Sequence, residues 1–226
     1  MYFIKRAQRH VLCIAFLFVL SLTFAACGEP VGIDASVSPA LNSAIAQTSP
    51  SQGSGQPSAS LRLAKPGPPL TRLQPLMGTW QTELTIRQTP TSTPVVSNDI
   101  TTRWQWVVDG CYVQEEMTGK LAGAPYYRLG YLTYNNLDER YEFVTMDHFD
   151  TGFMRYQSVA LDSGNMITLY GHFTEGGSGP KLEGQVIKIR YVFSWQDENH
   201  MSESMYFTRP ADKEYLAIRY VFTRQK

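Results

Sequence analysis

The chain has 226 residues, with 20 basic and 20 acidic side chains, 12% aromatic residues and three cysteines. Balanced charge excludes the basic surface that nucleic-acid binding calls for, and three cysteines cannot frame a fold of this size with disulfides. The aromatic content instead supplies material for one substantial core.

Lys5, Arg6 and Arg9 precede an almost wholly apolar run over residues 11–26. That run is shorter than the ~20 residues a bilayer-spanning helix needs and reads as the apolar region of a secretion signal. Phe24-Ala25-Ala26-Cys27 resembles the bacterial lipobox, with Phe24 where leucine is usual. The resemblance implies cleavage before Cys27 and acylation of its thiol, which would hold the protein at the cell envelope, outside the cytoplasm, with the membrane as its partner through an N-terminal lipid. Removing residues 1–26 leaves 17 basic against 20 acidic residues, a net charge of −3. Cys13 leaves with the signal, so Cys111 is the remaining thiol and is expected in the domain wall as a small hydrophobe.

From Cys27 through residue 69 the chain is rich in Ser, Ala, Pro, Gly and Gln and has no aromatic residue. Such a stretch buries too little apolar surface to offset its ordering entropy. It is expected to be a disordered tether spanning about 35 Å as a coil.

Residues 70–226 suit one domain of ordinary size. A short helical turn is expected over 70–77, with Thr71 as N-cap and Gly78 as its stop. Beyond it the period is two. Trp80, Leu84 and Ile86 oppose Gln81, Glu83 and Arg87; Ile100, Thr102, Trp104, Trp106 and Val108 share a face. The clearest case is Ile187, Ile189, Tyr191, Phe193 and Trp195, opposite Lys188, Arg190 and Ser194. Alternation of this kind marks strands with one buried face. Turn signals such as Asp109-Gly110, Tyr134-Asn135-Asn136 and Pro210-Ala211-Asp212 divide the domain into about ten strands. Closure removes the exposed edges of so large an antiparallel sheet. The expected fold is therefore all-β, an antiparallel up-and-down barrel, with a sandwich as the alternative.

Gly78-Thr79-Trp80 resembles the G-x-W motif of the lipocalins, in which the tryptophan closes one barrel end beneath a basic residue of the last strand; Arg224 is placed for that part. The series LMGTW, WQWVVDGCYVQEE, RLGYLTYNNLDERYEF and YVFTR resembles the bacterial family of unknown function DUF1579, from about Leu73 to Arg224. The resemblance implies a calycin-like barrel and no established activity. Gly130-Tyr131-Leu132 departs from the family's usual Gly-Tyr-Asp.

Catalytic and metal patterns are wanting. There is no G-x-S-x-G elbow. His148 and Asp150 are two candidate ligands where a metal site has three or four; no metal, haem or other cofactor is expected. The informative oddity is a carboxylate on an apolar face: Glu203 alternates in phase with Met201, Met205 and Phe207. A buried carboxylate needs a partner, and the same count, taking Tyr170 and Phe153 as inward, makes Arg155 and His172 the expected ones. Trp104, Trp106, Tyr127, Tyr131, Phe143, Tyr191 and Phe193 fit cavity walls or an ordinary core. Glu203, Arg155, His172, Trp104, Tyr131 and Tyr191 are accordingly the candidate ligand-binding residues. The expected function is binding of a small, largely apolar ligand by a lipid-anchored barrel at the cell envelope. The alternatives are a solid-cored interaction module and an enzyme using Glu203 as general acid or base.

Overall fold

Alternating apolar residues in ten successive segments form ten strands. They are β1 (Gly78–Ile86), β2 (Val95–Val107), β3 (Tyr112–Leu121), β4 (Ala124–Asn135), β5 (Arg140–Asp147), β6 (Met154–Gln157), β7 (Met166–Thr174), β8 (Val186–Trp195), β9 (His200–Thr208) and β10 (Tyr215–Arg224). In this computed structural model each strand pairs antiparallel with the next, and β1 pairs with β10, so the sheet is a closed up-and-down barrel. Closure leaves none of the ten strands as an edge, which removes the aggregation hazard of an open sheet. The structure describes residues 61, 63–149, 151–162, 164–176 and 182–226. The expected signal, Cys27 and nearly all of the expected tether lie outside these residues.

The strand phases follow burial. Ile187, Ile189, Tyr191, Phe193 and Trp195 of β8 all point inward, as do Met201, Glu203 and Met205 of β9. One end of the barrel is packed with rings: Trp104 lies 6.1 Å from Phe193, and Phe193 lies 5.3 Å from Phe143, centroid to centroid. These spacings are those of favourable edge-to-face pairs.

A short cap covers that end. It is a helix, α1 (Pro68–Thr71), followed by a 3-10 turn (Gln74–Leu76). The short helical turn expected over 70–77 is present; it begins at Pro68 and is divided into two pieces. The N-cap is Gly67, and Thr71 instead donates its hydroxyl to the Pro68 carbonyl at 2.8 Å. Pro69 and Pro75, each near the start of its piece, fix φ for a helical beginning but cannot sit in a continuing helix interior. Leu70, Leu73 and Leu76 are fully buried under the cap, each worth about 1.5–3 kcal/mol of hydrophobic stabilisation. The chain just ahead of the cap, expected as tether, is also attached: Asn136 donates to the carbonyls of Leu63 and Lys65 at 2.8 and 3.0 Å.

Arg224 and Trp80 seal the same end. They are cross-strand partners, and the guanidinium lies 4.1 Å from the centroid of the Trp80 ring. Arg224 also donates to the carbonyls of Met77, Pro75 and Glu198, tying the cap to the last strand. Trp80 Nε1 donates to the Leu76 carbonyl at 2.9 Å. Gly78 has φ +126°, and a Cβ there would fall 2.5 Å from Arg224 Nη1. Both the backbone and the guanidinium therefore require glycine at this place.

Cys111 is not in the wall. It is half-buried in the β2–β3 turn, where Val108, Asp109 and Gly110 all have positive φ, and its thiol faces the Ala64 carbonyl at 3.7 Å. The turn extends one residue beyond the Asp109-Gly110 signal, which takes Cys111 out of the wall.

Candidate functional site: a barrel mouth above a buried acid pair

The inner faces of β3, β4 and β9 meet at mid-barrel. Alternation that buries Val113 and Met117 also buries Glu115; that which buries Tyr126 and Leu132 buries Arg128; that which buries Met201 and Met205 buries Glu203. Three ionisable groups thus sit in an aromatic interior. Gly130, which pairs with Glu115 across β3 and β4, makes room for them: a Cβ there would lie 2.8 Å from Glu115 Oε2 and 2.7 Å from the Phe143 ring.

Arg128 organises the cluster. Its Nε lies 3.2 Å from Glu115 Oε2, its Nη2 donates to the Tyr191 hydroxyl at 2.8 Å, and its Nη1 donates to the Tyr220 hydroxyl at 2.7 Å. Tyr191 in turn donates to Glu203 Oε2, and Tyr220 shares a hydrogen bond with Tyr126 at 3.2 Å.

Two carboxylates face one guanidinium, so the charges balance only if one carboxyl is protonated. Burial pushes Glu203 well above the usual carboxylate range, and the negative charge of Glu115 pushes it further, against the opposing pull of Arg128. Glu115 is also raised by burial but is held down by Arg128 and by a hydrogen bond from Glu203. Glu203 is therefore the acid of the pair and donates its proton to the Glu115 carboxylate. That proton answers an accounting difficulty, since Glu115 Oε1 and Glu203 Oε1 are buried with no donor from any other described side chain. Like charges this close cannot both ionise in a low-dielectric interior. For Arg128, burial works to lower the pKa, yet Glu115 and the surrounding phenols keep it well above its ordinary value. The cluster is thus Arg128⁺, Glu115⁻ and neutral Glu203.

The network reaches solvent at the end opposite the cap. There a cavity of about 240 Å³ opens between the strand ends, walled by Ile86, Phe149, Met154, Phe173, Phe207 and Ile218. Tyr126, Met205 and Tyr220 are among its most buried lining residues and form its inner end. Arg87, Arg209, Asp147 and Glu175 contribute two charges of each sign to its lining. Burial raises the Tyr126 and Tyr220 hydroxyls above the usual phenol range, so both are neutral phenols. Larger depressions of about 610, 670 and 690 Å³ lie on the outside of the wall and around the cap. None of those three includes Glu115, Arg128, Tyr220 or Glu203 among its lining.

The expected site residues divide into two places. Glu203, Trp104 and Tyr191 are in the interior. Arg155 and His172 are not: both are exposed on the outer face, and Tyr131 faces outward beside them, the three lining the outer groove of about 670 Å³. Inward placement of Arg155 and His172 is overturned by strand phase. On β7 the inner positions are Ile167 and Leu169, and on β6 the inner residue is Tyr156. Tyr170 and Phe153, the aromatics that set the expected phase, are 42% and 59% exposed. The partners of Glu203 are Tyr191 and Glu115, with Arg128 behind them. Glu115 lies in phase with Val113 and Met117 as Glu203 does with Met201 and Met205, whereas Arg128 has no such signal, because Tyr127, Leu129 and Tyr131 make the opposite face of its strand apolar too. Tyr127, expected in a cavity wall, is also exposed. No group of three or more His, Cys, Asp or Glu residues that could hold a metal occurs among the described residues.

A closed ten-stranded antiparallel barrel with an N-terminal cap and a buried ionic cluster defines the class of this domain. The chain belongs to the family described as "Protein of unknown function (DUF1579)", whose model matches residues 65–224. Among solved structures it is similar to the crystal structure of Rv2717c from M. tuberculosis, at 18% identity and a TM-score of 0.47, over 72% of this chain and 100% of that chain. No curated protein matches.

Proposed function

We propose that the barrel binds a small, largely apolar molecule in the mouth cavity. One observation carries this reading: the interior is packed solid at the capped end and open at the other, where an apolar-walled cavity of about 240 Å³ ends on polar groups wired to Arg128. An apolar wall with a few convergent polar groups is the usual form of a small-molecule site. The volume is below the roughly 300–1,000 Å³ of drug-sized sites, so the ligand is compact or inserts only one end. Glu203 does not line the cavity, which gives an acid–base role for it no support. In this reading Cys27 carries the lipid that holds the domain at the envelope, and Cys27→Ser should abolish processing or release the protein from the membrane fraction.

Methionine methyl resonances test the site directly, since Met154 and Met205 line the cavity and Met201 lies towards the capped end. Titration with toluene should shift the first two and leave Met201 in place. Ile218→Trp, which fills the cavity, should remove the response. No shift at Met154 or Met205 at millimolar toluene would overturn the proposal. The interaction-module alternative is favoured by the outer groove, where Phe153 and Tyr170 are exposed; a protein partner lost on Tyr170→Ala, with the methyl response intact, would support it.

A further inference from the structure

We propose that the mouth cavity selects a neutral ligand whose inner end is a hydrogen-bond acceptor, such as a ketone, ester, lactone or amide carbonyl, and rejects ammonium and carboxylate ends. The inference rests on the mouth-cavity reading above and deepens it.

The argument is a count of hydroxyl protons. Tyr220 accepts from Arg128 Nη1 and shares one hydrogen bond with Tyr126. Neither phenol has another hydrogen-bond partner among the described residues. Between them the two hydroxyls carry two protons, and their mutual bond uses one. If Tyr220 donates, the Tyr126 proton is left over; if Tyr126 donates, the Tyr220 proton is left over. Either way the inner end of the cavity presents one O–H donor that no described side chain accepts. Tyr191 is different, because it accepts from Arg128 and donates to Glu203 and so has no proton to spare. A purely apolar ligand end that displaces solvent here leaves this donor unpaired, at a cost in free energy, whereas an entering acceptor replaces the lost hydrogen bond. The Arg128 charge behind Tyr220 polarises the phenol and strengthens what it donates.

The charge count sets the second half of the specificity. Arg128 is already balanced by Glu115 at 3.2 Å. Among the cavity's lining residues, Arg87 and Arg209 are matched in number by Asp147 and Glu175. A carboxylate entering the inner end finds no surplus positive charge and loses its hydration. An ammonium brings only donors to a place that needs an acceptor.

Four probes of nearly one shape decide the matter at neutral pH: cyclohexanone, methylenecyclohexane, cyclohexylammonium and cyclohexanecarboxylate, each titrated against the Met154 and Met205 methyl resonances. Cyclohexanone should bind at least about tenfold more tightly than methylenecyclohexane, and the two ions more weakly than either. Tyr126→Phe should keep the ketone preference within about threefold, because the Tyr220 proton is then the spare one. Tyr126→Phe with Tyr220→Phe should bring the ketone-to-alkene ratio to about one. Equal binding of ketone and alkene by the unmodified protein would overturn the acceptor rule while leaving the cavity reading intact. Preference for either ion, or loss of the ketone preference in Tyr126→Phe alone, would also overturn it. Failure of all four probes, and of toluene, to move the two methyls would remove both proposals. The comparison on the unmodified protein needs no variant to fold.

Discussion

The two halves of the barrel interior are built on opposite principles. At the capped end rings pack against rings, Leu70, Leu73 and Leu76 plug the opening, and Arg224 binds the cap to the last strand. At the mouth the wall is partly exposed, the interior holds space, and the polar groups form a chain from solvent to a buried acid. One barrel thus places dense packing and an open cavity at opposite ends of its own axis. Dense aromatic packing at one end supplies the stabilisation that allows a cavity and an ionic cluster to persist towards the other.

Removing mass from each end of the barrel tests this contrast most directly. Trp80→Ala should destabilise the domain by about 3–5 kcal/mol, the usual cost of deleting a fully buried large ring, while Ile218→Ala at the half-buried mouth should cost about 1 kcal/mol. Urea denaturation of the two variants measures both, and equal costs would show that the ends do not differ. Arg224→Ala should follow at about 2 kcal/mol, from one cation–π contact and the hydrogen bonds to the cap. Its loss should appear as faster amide exchange in residues 70–77, with the mouth unchanged.

The acid pair gives a smaller effect that depends on pH. Glu203 ionises well above the usual carboxylate range in the folded protein, against about 4.3 when unfolded. The folded state therefore binds more protons above that pH, and the stabilisation is present in full below it. Stability should fall as pH rises towards the folded value, by up to about 1.4 kcal/mol per pH unit. Glu203→Gln cannot titrate but can still donate to Glu115 and accept from Tyr191, so its thermal midpoint should lose that slope between pH 5 and 8. A slope of the opposite sign in the unmodified protein would refute the assignment of Glu203 as the acid. The smallest effect is expected for Tyr131→Ala on the outer groove, with stability within about 1 kcal/mol and unaltered methyl responses to toluene.

Much of the fold was legible because its signal is local. Ile187 to Trp195 alternates without a break, and each inward side chain declares the phase of the whole strand. Glu203 was found in the same way, set between Met201 and Met205. The outward direction of Arg155 and His172 is not legible, because β6 is four residues long and the neighbouring aromatics, Phe153 and Tyr170, are on the outside. An aromatic residue is weak evidence of an inner face when most of the exposed surface of any protein is apolar in any case. Glu115 has a legible phase and Arg128 has none, and nothing local to either says that two carboxylates and one guanidinium will converge.

Period two and turn residues, written along the chain, specify the all-β class, the number and order of strands and the inward direction of Glu203, while the resemblance of Gly78-Thr79-Trp80 to the G-x-W motif implied the Trp80 and Arg224 closure. Which charges meet is set in three dimensions. Glu115 and Glu203 lie 88 positions apart on strands that are not neighbours in the sheet, and they face each other because the sheet curls until its opposite walls touch. The same curvature sets the mouth cavity and the spare proton of Tyr126 and Tyr220, which no periodicity in one strand can encode.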